Sequence, residues 1–121
     1  MIAVIFEVEP AEGQRQAYLD LAAALRLQLE NIDGFISVER FQSISDPGKM
    51  LSLSFWRDEA AVRAWRTHAS HRATQGKGRA GIFKDYRLRI AEVARDYGMH
   101  ERREQAPDDS RRAHESGEPG L

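Results

Sequence analysis

In residues 2–8, IAVIFEV, the side chains alternate with the two-residue period of a β-strand: Ile2, Val4, Phe6 and Val8 on one face, Ala3, Ile5 and Glu7 on the other. Both faces are largely apolar, which is the tightest constraint in the chain. A strand of this kind belongs inside a sheet with a layer against each face, because apolar side chains left in water forfeit the free energy of burial. Helices are expected over one face and a further covering element over the other.

The following segments supply the layers. EPAEG breaks the strand and brings acidic residues to where a helix N-terminus favours them. From about Gly13 to Asn31 the apolar positions Tyr18, Leu21, Ala22, Leu25, Leu29 and Ile32 recur at steps of three and four, one stripe of an amphipathic helix. NIDG ends it, with Gly34 free to take a left-handed conformation. FISVERFQSI and MLSLSFW read as two strands joined by a turn at Asp46, Pro47 and Gly48, hence a hairpin. In the second of these strands Leu51, Leu53 and Phe55 oppose Met50, Ser52, Ser54 and Trp56, a face mixed in character. Asp58 is placed to cap a helix through DEAAVRAWRTH whose stripe is Ala61, Val62, Trp65 and Ala69. Residues 83–94 are ambiguous in period but are assigned as a strand, since a helix there would leave the first strand without a neighbour.

The order strand, helix, strand, strand, helix, strand is the ferredoxin-like βαββαβ arrangement of the α+β class, with helices on one face of an antiparallel sheet. On the uncovered face, Phe, Trp, Ile and Met remain mixed with Ser, Glu and Arg. A face-to-face homodimer is the economical way to cover it, and two sheets facing each other would enclose a semi-polar cavity in a dimeric α+β barrel. One such domain is expected over residues 1–97, which suits a chain of 121 residues. Residues 98–121 form a polar tail with few apolar side chains, as a disordered segment would.

Composition removes several classes of function. A net charge of -1 argues against a nucleic-acid partner, since phosphate recognition leaves a basic stripe. The absence of cysteine excludes thiol redox chemistry and sulfur-ligated zinc. The N-terminal apolar run is too short for a signal peptide or a membrane span, so no membrane partner and a cytoplasmic location are expected.

The densest chemistry lies in AWRTHASHRATQGKG, residues 64–78. On one helix His68 lies about 60° from Trp65, His71 about 60° further round, and Gln75 between the two histidines. Two imidazoles three residues apart can share a metal, but no third ligand stands near, and none is expected. Gly76-Lys77-Gly78-Arg79 lacks P-loop spacing and follows a helix instead of opening one, so it reads as a solvated helix exit. Trp65, central in an apolar stripe, serves equally as core or as the wall of a pocket. Trp56, at a strand end, is either barrel lining or rim packing.

The run SLSFWRDEAAVRAWRTHASHRATQGKGR followed by DYRLRIAEV resembles the antibiotic biosynthesis monooxygenase (ABM) family of dimeric α+β barrels, which includes cofactor-free quinone-forming oxygenases and haem-degrading monooxygenases. The resemblance covers residues 1 to about 97, and its most specific part is Phe55 to Gly78. It implies a cofactor-independent monooxygenase that oxidises a small aromatic or quinol-like substrate with dioxygen. In the haem-degrading branch, the resemblance would pair a strand-one asparagine and a helix tryptophan with a histidine some ten residues on. Trp65 matches the tryptophan, but strand one has no asparagine and the later position is Gln75, so haem is the alternative cofactor and none the leading expectation. A non-catalytic barrel that binds a small apolar ligand is a third reading. His71 is the expected catalytic base, its imidazole titrating near neutrality, with Trp65 as wall or donor. His68, Gln75, Trp56, Arg40 and Ser52 are the expected substrate contacts, the last two from their facing alone.

Overall fold

The structure, a computed structural model, describes residues 1–68, 76 and 81–105. Its elements follow the expected order: β1 (Ile2–Pro10), α1 (Arg15–Leu29), β2 (Phe35–Gln42), β3 (Met50–Trp56), α2 (Glu59–Arg66) and β4 (Phe83–Glu92). The four strands form one sheet in the order β2-β3-β1-β4, antiparallel at every pair. This is the ferredoxin-like βαββαβ fold, and the doubly apolar β1 is interior, flanked by β3 and β4. The ambiguous segment is the edge strand β4, because β1 would otherwise present an unpaired row of backbone groups.

Local chemistry fixes the connections. Asp58 has extended backbone and its carboxylate accepts the Ala61 N–H at 2.9 Å, so α2 starts with a side-chain cap. The first turn of α1 has no such cap and no acidic residue; Glu9 and Glu12 lie ahead of it, contrary to the expectation that EPAEG would charge that terminus. In the β2–β3 turn, the Gly48 N–H donates to the Asp46 carboxylate at 3.1 Å, and the Gln42 amide donates to the Pro47 and Lys49 carbonyls at 2.8 and 2.9 Å. Gly34, between α1 and β2, sits at φ +91°, and a Cβ there would lie 2.6 Å from the Ala61 Cβ. Only glycine lets α2 approach this turn so closely.

The register sets which residues share a face. Ile2, Val4, Phe6 and Val8 lie opposite Trp56, Ser54, Ser52 and Met50 of β3, so the mixed face of β3 and one apolar face of β1 are a single surface. That surface faces the helices, where Trp56 packs with Ala61 and Val62 of α2. The expected semi-polar cavity between two sheets is corrected accordingly: the mixed residues sit inside one subunit. The helices on this side bury Trp56 and Met50, and each such burial contributes about 1.5–3 kcal/mol.

The core is split in two. Ile2, Leu29, Trp56, Ala61 and Val62 form one cluster; Val8, Tyr18 and Met50 form another toward the opposite end of β1. Val4 and Phe6, between the buried ends of the strand, are only half-buried. No helix among the described residues is long and apolar enough to cross a membrane.

Candidate functional site

The interval between the two core clusters is a cavity of about 220 Å³. Its floor is the helix-side face of the sheet, with Val4 and Phe6 of β1, Val38 and Arg40 of β2, and Ser52, Ser54 and Trp56 of β3. The α1 stripe of Tyr18, Leu21, Ala22, Leu25 and Leu29 roofs it, and Val62, Trp65 and Arg66 of α2 close one end. The periodicity read as a core-facing stripe therefore has two jobs along its length. Tyr18, Ala22 and Leu29 are buried, while Leu21 and Leu25 between them are half-buried against the void. On the β4 side, Tyr86, Leu88 and Ile90 line the cavity yet are 49%, 46% and 41% exposed, so the cavity opens along this edge strand.

Aromatic rings crowd one end. Phe6 stacks on Tyr86 with centroids 5.6 Å apart, and Phe83 meets Phe6, Tyr18 and Tyr86 edge-on at 5.7, 5.9 and 6.0 Å. Such offset and edge-on pairs add about 0.5–1.5 kcal/mol each beyond burial, which makes this end the stiffer wall. At the other end Trp56 is almost fully buried; its indole N–H donates to the Ser54 hydroxyl at 2.9 Å and its ring meets Phe35 edge-on.

Polar groups are few and grouped. Arg40 and Ser52 are cross-strand partners on the cavity face. The Tyr18 hydroxyl lies against Arg40. Burial pushes its pKa above the ordinary tyrosine value, while the Arg40 charge and a hydrogen bond with the guanidinium act the other way; burial prevails, so Tyr18 is a neutral hydroxyl at physiological pH. The Nε of Arg40 is buried without a hydrogen-bond partner among the described residues. Nor does any carboxylate there pair with this guanidinium; the ion pairs present involve Arg57, Arg89, Arg102 and Lys49.

Of the residues expected from sequence, Trp56, Trp65, Arg40 and Ser52 line this one cavity. His68 is exposed, off the cavity lining, with its imidazole stacked on Trp65 at 6.0 Å between centroids. His71 and Gln75 lie outside the described residues. Tyr18, Phe6 and Tyr86 were not anticipated as site residues. Tyr18 left one signal, a hydroxyl in an otherwise aliphatic helix stripe; Phe6 and Tyr86 left none, because in alternating strands they look like any core aromatic.

No group of three or more His, Asp or Glu among the described residues is placed to hold a metal ion. Among the described residues, the cavity lining has no imidazole or thioether to ligate a haem iron.

A family model described as antibiotic biosynthesis monooxygenase matches residues 1–77. Jasmonate monooxygenase ABM of Pyricularia oryzae is 53% identical over 93 residues, which cover 77% of this chain and 43% of that protein, so the chain spans less than half of that relative's length. The Bacillus subtilis protein YqjZ is 30% identical over 93 residues, 77% of this chain and 79% of its own. Among solved structures, Rv0793 from Mycobacterium tuberculosis superposes with a TM-score of 0.72 over 80% of this chain and 98% of its own, at 16% identity.

Proposed function

The chain belongs to the antibiotic biosynthesis monooxygenase family, and we propose that it is a monooxygenase whose substrate is a small, mostly apolar molecule held in the cavity between α1 and the sheet. The observation that carries this reading is the cavity itself: a mostly aromatic and aliphatic void between two core clusters, where Tyr18 of the roof meets Arg40, the cross-strand partner of Ser52, on the floor. A void so placed sacrifices core burial, which a fold retains where it serves a ligand.

The leading chemistry is cofactor-independent oxidation of an aromatic, quinol-like substrate. A base removes the phenolic proton, and the electron-rich anion passes one electron to dioxygen. Recombination of the two radicals gives a peroxide, which collapses to the quinone and water; the substrate supplies both electrons needed to reduce the second oxygen atom. His71 is proposed as the base, and His68 and Gln75 as substrate contacts. Trp56 and Trp65 are proposed as walls, and Arg40 and Ser52 as contacts to the substrate oxygens.

The 53% identity to a protein named a jasmonate monooxygenase favours a second reading, in which the substrate is a ring ketone acid like jasmonate. Hydroxylation of a saturated carbon in a substrate of that kind puts one oxygen atom into the C–H bond and reduces the other to water with two electrons from outside the substrate, so it needs an added reductant. Oxygen uptake and ¹⁸O₂ incorporation, measured with hydroxynaphthoates and with jasmonate, each with and without ascorbate, separate the two. Reductant-free incorporation into the aromatic acid supports the first, ascorbate-dependent incorporation into jasmonate the second. Bound ligand with no ¹⁸O in any product leaves a non-catalytic binding barrel. On the first reading, His71→Ala lowers kcat/KM about 10²–10⁴-fold; unchanged turnover removes His71 as base.

We also propose a homodimer through the sheet face away from the helices. Ile5, Leu51, Leu53 and Phe55 are half-buried there and Phe41 is 42% exposed, more apolar surface in one patch than scattered side chains would give.

A further inference from the structure

Arg40 presents an unusual electrostatic situation. It lies on β2 with its side chain against an apolar cavity, its Nε is buried and unpartnered, and no carboxylate among the described residues balances its charge. The neutral hydroxyl of Tyr18 beside it does not supply the missing negative charge. Across the strand, Ser52 offers one more hydroxyl. The cluster therefore holds a guanidinium and two hydroxyls on a wall whose other polar side chains are Ser54, which accepts the Trp56 indole N–H, Tyr86 and the exposed Arg66.

We propose that Arg40, with Tyr18 and Ser52, binds the carboxylate of the substrate, so that the molecule this cavity accepts is an apolar ring or chain ending in one carboxylic acid. The inference rests on the reading of the cavity as the substrate site and adds the class of molecule that enters it. The two Nη atoms of a guanidinium form a fork that matches the two oxygens of a carboxylate, and ion-paired hydrogen bonds of this type are about twice as strong as neutral ones. Tyr18 and Ser52 are placed to donate to the remaining lone pairs. The apolar remainder of the ligand then lies along Val4, Val38 and Leu25 toward Trp56 and Trp65 at the α2 end of the cavity.

The test uses the full chain and a neutral fluorescent probe, N-phenyl-1-naphthylamine, whose binding reports the cavity whether or not Arg40 has this role. Two matched pairs compete for it: 1-naphthoate against its methyl ester, and jasmonate against methyl jasmonate. In the native protein the acid should displace the probe at a concentration at least tenfold below its ester in one pair or both. In Arg40→Gln that preference should fall within twofold, with probe affinity itself changed less than threefold, and Arg40→Lys should keep part of it. Equal potency of acid and ester in both pairs overturns the proposal, as does a preference that survives in Arg40→Gln or failure of all four competitors to displace a bound probe. Failure of the probe itself to bind the native protein instead counts against the cavity as the substrate site. If Arg40→Gln does not fold, Ser52→Ala and Tyr18→Phe give the same readout, each expected to lower the acid preference about threefold.

Discussion

Replacing Gly34 with alanine tests the seam between α2 and the sheet. The residue sits at φ +91°, and a left-handed backbone costs a non-glycine residue about 1–2 kcal/mol. The new methyl would lie 2.6 Å from the Ala61 Cβ and 3.4 Å from the Arg57 guanidinium carbon. The arginine can move aside, but Ala61 is buried near the N-terminus of a capped helix, so relief requires α2 to shift; overpacking of this type costs about 1–3 kcal/mol. The sum, about 2–5 kcal/mol, corresponds to a fall in Tm of about 8–20 °C for a domain of this size. Calorimetry or a thermal melt by circular dichroism reads it directly. Because α2 carries Val62 and Trp65 into the cavity wall, probe affinity should weaken along with stability. The double variant Gly34→Ala with Ala61→Gly isolates the steric share: it should recover part of the loss, with a coupling of about 1–3 kcal/mol between the two sites. A single variant that melts within about 2 °C of the native protein, or a double variant with no coupling, would refute the claim that this close approach fixes α2.

Three further outcomes are expected. Trp56→Phe removes the donor to the buried Ser54 hydroxyl and should cost about 1–3 kcal/mol for the stranded partner alone, read from the urea midpoint; adding Ser54→Ala should return part of it, since removing both partners avoids the orphan. Asp33 is held below the usual carboxylate range chiefly by hydrogen bonds from Arg57, and Asp58 chiefly by the Ala61 N–H and then by Arg57. As pH falls the unfolded chain takes up these protons first, so the stability they contribute is present above about pH 4 and lost as pH drops through the lowered folded values. The effect is small because both groups are exposed; the drop in urea midpoint below pH 4 should flatten in Asp33→Asn with Asp58→Asn, and an unchanged slope would show that neither group governs it. Leu53→Glu puts a charge in the middle of the outer sheet face, opposite Ile5, and should convert a dimer seen by sedimentation velocity to monomer while leaving probe binding intact.

The sequence was informative wherever the physics is local. Alternation in IAVIFEV, the stripe from Tyr18 to Leu29, the Asp46-Pro47-Gly48 turn and the Asp58 cap each report a neighbourhood of a few residues, and each is where the period or the turn chemistry placed it. Trp65 and Trp56 were legible as large aromatics with two possible roles. The structure shows that in this fold the roles coincide, since both pack in or against the core cluster and line the cavity. Facing alone brought Arg40 and Ser52 to one surface, because an antiparallel register preserves the parity of each strand.

What tertiary structure decided is which side the helices take and where the core stops. Parity says that Met50, Ser52, Ser54 and Trp56 share a face; it does not say whether that face meets helices or a second sheet, and the sequence expectation put the cavity on the wrong side. That choice depends on how both helix crossovers pack against the β2-β3-β1-β4 order, a property of the whole chain. The same holds for the two clusters and the gap between them: Leu21 and Leu25 carry the same apolar signal as Ala22 and Leu29, yet only the arrangement of α1 over the sheet leaves a void beneath them. That the Arg40 Nε is buried with no partner among the described residues is likewise a property of the folded chain.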